Sequence, residues 1–92
     1  MQKNNLSTGL RDLEQKLTAL IAENVLDLPA GFDPESDLVR AGLDSMALMQ
    51  LLILIENHFD LMLAEVDVSS ENFLNIRTLS GLIQQRLLQK LG

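Results

Sequence analysis

Ser45 is the residue in this sequence with the plainest chemical use, and the first question is what would activate it. The single histidine, His58, follows thirteen positions later. On a shared helix rising about 1.5 Å per residue the two stand roughly 20 Å apart, which rules out a nucleophile–base pair. His58 therefore reads as an exposed or rim residue. Asp44 and Glu56 are separated almost as widely, too far to flank one substrate as paired carboxylates. With no cysteine in the chain, disulfides and thiolate zinc sites are excluded, and one histidine does not make a His-rich metal site. There is no glycine-rich phosphate loop either. The residues assemble no catalytic set, so the chain is not expected to be an enzyme.

Ser45 keeps one physical use. An irregular stretch precedes it and an apolar-periodic one follows, which places it at a helix N-terminus. Free N–H groups and the positive end of the helix dipole there favour an attached or bound phosphate. A hydroxyl in that position is exposed, held by a rigid element and within reach of another enzyme. The plainer alternative is that Asp44 and Ser45 merely cap a helix, as these residue types do throughout proteins.

The elements that would position Ser45 follow from the spacing of apolar residues. Leu10, Leu13, Leu17, Leu20, Ile21 and Val25 recur at helical steps, predicting a first helix over about 9–26 with Ser7 or Thr8 as its N-cap. From Asp27 to Leu43 the period lapses around Pro29, Gly31 and Pro34, with Phe32, Leu38 and Val39 apolar enough to pin a long loop. Loops of that length in small domains are often functional. Leu48, Leu51, Leu52, Ile55 and Phe59 give the core stripe of a second helix from Ser45 to about Phe59, capped by Asp44. Met46, Met49 and Ile53 repeat on another of its faces, and no charge occurs from Ser45 through Ile55. Either that face is nearly buried or it shows an apolar strip to a partner. Ser69 or Ser70 can cap a short third helix through Asn75, with Phe73 and Leu74 inward. Thr78 reads as the cap of a last helix to about Leu91, with Leu79, Leu82, Ile83, Leu87 and Leu91 as its stripe. No strand-like alternation of useful length occurs, so the expected class is all-α.

Length and charge narrow the functions available. At 92 residues, 47% of them hydrophobic and with 2 Pro and 5 Gly, the chain suits one small helical core better than disorder or a deep enzymatic cavity. Residues 1–6 are expected to fray and residues 7–91 to form one domain. The N-terminal residues lack the apolar run of a signal peptide, and Leu51 to Ile55 is far too short to span a bilayer, so a cytoplasmic protein is expected. Net charge is −6. Between Ala41 and Ile76 there are Asp44, Glu56, Asp60, Glu65, Asp67 and Glu71 and no Lys or Arg, while the remaining residues sum to zero. Such a surface repels nucleic acid and anionic lipid and steers basic partners. It also serves solubility alone.

Gly42-Leu43-Asp44-Ser45-Met46 resembles the G-x-D-S-[LM] signature of the acyl and peptidyl carrier proteins. Leu51, Ile55, Glu56 and Phe59 resemble that family's L-x-x-x-[LI]-E-x-x-F pattern. Glu71-Asn72-Phe73 and Ile76-x-Thr78-Leu79 are similar to its third helix and the start of its fourth, and Asp37-Leu38 upstream is also family-like. The likeness runs over roughly residues 10 to 90. It implies a four-helix bundle of acyl-carrier-protein type, with three long helices, one short third helix and a long loop between the first two. It further implies a 4′-phosphopantetheine arm covalently attached to Ser45 by a phosphopantetheinyl transferase, with cargo held as a thioester on the arm. Asp44 would cap the helix and flank the attachment point without helping to hold the phosphodiester, since like charges repel.

One departure from the family bears on partners. Second helices of fatty-acid-type carriers resemble acidic ladders, whereas the matching positions here are Ala47, Gln50 and Asn57, with only Glu56 retained. Met46, Met49 and Ile53 instead suggest an apolar recognition face with adaptable methionine contacts, unless that strip packs against the long loop. Glu65, Asp67 and Glu71 would add electrostatic steering. The expectation is a monomeric, freestanding acyl carrier serving a specialised fatty acid, polyketide or other biosynthetic pathway, with a loading ligase and downstream enzymes as partners. The alternatives are an aminoacyl or peptidyl carrier loaded by an adenylating ligase, and a helical interaction module that is never modified.

Overall fold

The computed structural model describes residues 9–91. Helix α1 runs Leu10–Asn24 because Leu13, Leu17 and Ile21 fall one turn apart and bury together. Gly9 occupies its N-cap without a side-chain bond. The proposed caps Ser7 and Thr8, like the fraying expected of residues 1–6, lie outside the described residues. The helix stops two residues earlier than the apolar pattern suggests. There the N–H groups of Val25 and Leu26 both close onto the Ile21 carbonyl, each at 2.9 Å.

Helix α2, Ser45–Phe59, begins where expected. Leu51 and Ile55 are fully buried, Ala47 is nearly so, and Leu48, Leu52 and Phe59 are half-buried beside them. Asp60 closes the helix in the left-handed conformation, φ 54°. Lys90, from the end of the last helix, donates to its carbonyl and carboxylate.

Helix α3 spans Ile76–Leu91, packs directly on α1, and buries Ile76, Leu79, Leu82 and Ile83. Its start corrects the expected cap. Asn75 is the capping residue, its Oδ1 accepting from the Thr78 N–H at 2.8 Å. Thr78 Oγ1 accepts in return from the Asn75 N–H at 3.3 Å. That is the reciprocal logic of a capping box, with Thr78 one turn inside rather than at the end. Leu91, expected on the core stripe, is exposed.

The architecture is all-helical, with no strand among the described residues. The short third element differs from a regular helix. It consists of a 3-10 turn over Glu65–Asp67 and a single α-turn, in which the Phe73 N–H reaches the Ser69 carbonyl at 3.0 Å and Ser69 Oγ caps the Asn72 N–H at 3.1 Å. Extension is blocked because the carbonyls it would use are bonded elsewhere: Asn72 to Thr78 Oγ1, Leu74 to the Leu38 N–H. Ser and Asn side chains compete with helical bonding in this way. Phe73 points inward as expected, but Leu74 is 45% exposed.

The long loop between α1 and α2 is held from below. Leu38 is fully buried, whereas Val39, expected to help pin the loop, is 66% exposed. The Leu38 N–H donates to Leu74 and the Arg77 N–H to the Pro34 carbonyl, at 2.9 and 3.0 Å. Arg77 also pairs with Glu14 on α1, at 3.1 Å, and with Glu35 on the loop.

Candidate functional site

The loop leading to Ser45 is built by local hydrogen bonds. Asp37 Oδ1 accepts from the Val39 and Arg40 N–H groups, at 2.8 and 3.3 Å, which starts a turn. The turn returns through Gly42, whose N–H reaches the Val39 carbonyl at 3.0 Å. Gly42 has φ 118°, and a Cβ there would meet Leu26 Cδ2 at 3.4 Å. A side chain at this position is strained by the backbone conformation, while its contact with Leu26 would be ordinary. The kink drives Leu43 into the core and leaves Asp44 and Ser45 outside.

Asp44 then caps α2 as the sequence suggests. Its Oδ1 accepts from the Ala47 N–H at 2.9 Å, and its carbonyl from Leu48 at 2.8 Å. Ser45 and Met46, the first two residues of the helix, keep N–H groups with no protein acceptor among the described residues. An exposed hydroxyl and two open donors thus share the positive end of a four-turn helix, an arrangement suited to a phosphate ester. Beside Ser45 lies a groove floored by Leu43, Leu48, Val68 and Phe73 and rimmed by Asp37, Asp44 and Ser69. Its wall at 68–74 comes from the irregular third element, a feature that periodicity did not disclose.

The remaining candidate residues divide by environment. Met46, Met49 and Ile53 are 77%, 60% and 56% exposed, so the strip does not pack against the long loop. Glu65 and Glu71 are exposed as well. Glu56 is half-buried, and its Oε2 accepts from the Leu63 N–H at 3.3 Å, holding the segment that follows α2.

Asp67 departs most from expectation. At 4% exposure it offers no surface to a partner. Its Oδ2 takes Arg86 Nε at 3.0 Å and the Ala64 N–H at 2.9 Å, and its Oδ1 takes a second guanidinium bond. The Arg86 hydrogen bond is the main cause holding the carboxyl below the ordinary Asp range, against the opposing effect of burial, with the Ala64 N–H adding to it. The guanidinium is pushed up correspondingly by the same bond. Asp67 therefore fastens the third element to α3. Only the partner nineteen residues away would have shown this, and no short-range pattern links the two.

No group of metal-ligating side chains occurs among the described residues. His58 is exposed, and its ring meets that of Phe59 edge-on with centroids 5.0 Å apart. Ser45 has no imidazole beside it among the described residues; the ionisable side chains that share its groove are the carboxylates of Asp37 and Asp44.

Comparison with known proteins agrees in extent with this geometry. A family model for the phosphopantetheine attachment site matches residues 15–85, which include the whole loop, α2 and the groove wall. The chain is 32% identical over 81 residues to Aminoacyl carrier protein 1 of Bradyrhizobium diazoefficiens, covering 88% of this chain and 89% of the relative. It is 35% identical over 60 residues to Aminoacyl carrier protein 2 of the same organism, covering 65% and 67%.

Proposed function

This chain belongs to the carrier proteins that bear a phosphopantetheine attachment site, and we propose from that premise that Ser45 is where its arm is joined. Proteins of this family carry 4′-phosphopantetheine covalently and are not themselves catalysts. The observation that carries the assignment is the exposed Ser45 hydroxyl at the start of α2, beside two uncommitted N–H groups and a groove.

In the proposed attachment, Ser45 Oγ forms the new bond to the phosphorus that coenzyme A supplies. Its proton passes to the transferase, and the nucleotide half of coenzyme A leaves. The Ser45 and Met46 N–H groups would hold the resulting phosphodiester. Asp44 orients the helix end through Ala47 and contributes no attraction to the anion. Once attached, the arm supplies the thiol on which cargo is held as a thioester.

For cargo we propose an amino acid loaded by an adenylating ligase, because both relatives are named as aminoacyl carriers. That revises the preference for acyl cargo drawn from the sequence. An acyl chain is the second reading, favoured by the apolar floor of Leu43, Leu48, Val68 and Phe73. The exposed strip of Met46, Met49 and Ile53, starting one residue after Ser45, is the proposed contact for a dedicated partner, with Glu65 and Glu71 steering the approach. Asp67 has no part in that surface. Action as a monomer in the cytoplasm belongs to the same proposal. No described helix is long and apolar enough to cross a membrane.

Intact-protein mass spectrometry tests the assignment. Incubation with coenzyme A and a broad-specificity phosphopantetheinyl transferase should add one phosphopantetheine to the wild type and none to Ser45→Ala. A modified Ser45→Ala protein, or an unmodified wild type that is folded and helical, would remove the assignment.

A further inference from the structure

Residues 37–43 form a single helical turn that is closed at both ends. Asp37 is its N-cap: Oδ1 accepts from the Val39 and Arg40 N–H groups, and its carbonyl accepts from Ala41 at 3.2 Å. The far end closes in the glycine-terminated pattern of longer helices, with the Leu43 N–H on the Leu38 carbonyl at 2.9 Å and the Gly42 N–H on the Val39 carbonyl. Gly42 supplies the positive φ, and Leu38 and Leu43, the apolar pair that such a closure brings together, are both buried. The Leu38 N–H goes to the Leu74 carbonyl. Every N–H group from Leu38 to Leu43 thus has an acceptor.

A lone turn is the least stable form of helix, because fixing its backbone costs entropy and returns few bonds. Complete bonding of such a turn on a surface loop calls for a use, and its place in the chain supplies one. Only Asp44 separates Leu43 from Ser45, and Val39 on the turn borders the same groove as the serine. The turn and the start of α2 therefore present one surface whose shape depends on the cap.

We propose that Asp37 is a positioning residue for attachment of the arm: by capping this turn it holds the approach to Ser45 in the arrangement on which the phosphopantetheinyl transferase docks. The inference rests on Ser45 as the attachment point and assigns Asp37 a part played through the backbone.

Capping needs an acceptor oxygen and no charge. The Asp37 carboxylate opposes a phosphodiester on the neighbouring serine, so attraction to the arm is not its use. An amide oxygen at the same place caps as well. Without the cap the turn frays, while buried Leu38 and Leu43 keep the loop on the core. The transferase then binds only the fraction of molecules whose turn is formed. That raises the apparent dissociation constant in inverse proportion and leaves the chemistry within the complex untouched.

Initial rates of arm transfer from coenzyme A, with a broad-specificity transferase and this protein as the varied substrate, separate these effects. Asp37→Ala should raise KM about two- to fivefold, the scale of one lost cap, with kcat unchanged. Asp37→Asn should keep the wild-type KM. So should Asp33→Ala, which removes a similar bond to the Glu35 N–H earlier in the loop. Amide hydrogen exchange, read without any transferase, should quicken at Gly42 and Leu43 in Asp37→Ala and not in Asp37→Asn, since neither amide bonds to the substituted side chain. The positioning role is overturned by unchanged KM or exchange in Asp37→Ala, by an equal loss in Asp37→Asn or Asp33→Ala, or by a fall in kcat in place of the rise in KM. Each of those results leaves the carrier reading standing. A folded wild type that accepts no arm overturns both.

Discussion

Single side chains set what this molecule can and cannot do. Ser45 is exposed at the start of α2, and on the proposed reading it accepts a group that another enzyme transfers. Ser80 is the opposite case, fully buried on α3 with no hydrogen-bond partner for its Oγ among the described residues. Burying an unsatisfied hydroxyl costs about 1–3 kcal/mol. Alanine is in addition the better helix former, by a few tenths of a kcal/mol. Ser80→Ala should therefore raise the stability by about 1 kcal/mol or more in urea unfolding, and an unchanged or lower midpoint would mean that the hydroxyl is bonded after all. At this scale the sequence was legible wherever the partner is near in the chain. Asp44 capping Ala47 could be read directly, and the exposure of Met46, Met49 and Ile53 was one of two readings left open by spacing. Asp67 could not be read, because an acid in a base-free stretch looks solvated until Arg86 folds back onto it.

At the scale of elements the same rule holds for helices and fails for what joins them. The start of α2 was clear because cap and period are local. The third element was not, because bonds from Leu38 and Thr78 claim its carbonyls from outside. Nor could the apolar types of Val39 and Leu74 reveal that the chain turns both toward water. Two glycines in the long loop give a graded test of how tightly it is shaped. Gly31 has φ 76° with open space around it, while Gly42 has φ 118° and Leu26 within 3.4 Å. Left-handed backbone costs a non-glycine residue about 1–2 kcal/mol. Gly31→Ala should lose about 1 kcal/mol, and Gly42→Ala should lose more and also modify more slowly at Ser45. The difference comes from the φ of 118°, farther from the left-handed minimum than 76°, and equal losses would show that the two conformations cost alanine the same.

Charge acts on the molecule as a whole through the Asp67–Arg86 pair. The Asp67 carboxyl is depressed in the folded state, so the unfolded chain binds its proton first as pH falls. The stability it contributes is fully present above about pH 3.9, the ordinary Asp value. It is lost as pH drops below that and passes through the depressed native value. Asp67→Asn should be less stable at neutral pH, and below pH 3.9 its midpoint should fall less steeply than that of the wild type. Parallel midpoints across that range would show that other carboxylates govern acid unfolding.

Order of synthesis gives the Arg77 contacts a further meaning. Ser45 is made before residue 74 exists to receive the Leu38 N–H, and before Arg77 can reach Pro34, Glu35 and Glu14. A nascent chain therefore exposes the serine early, on a loop still lacking its underpinning, and gains its proper setting only when the last helix emerges. An enzyme that reads the shaped loop, and not the short motif alone, is thereby kept from acting on unfinished chains.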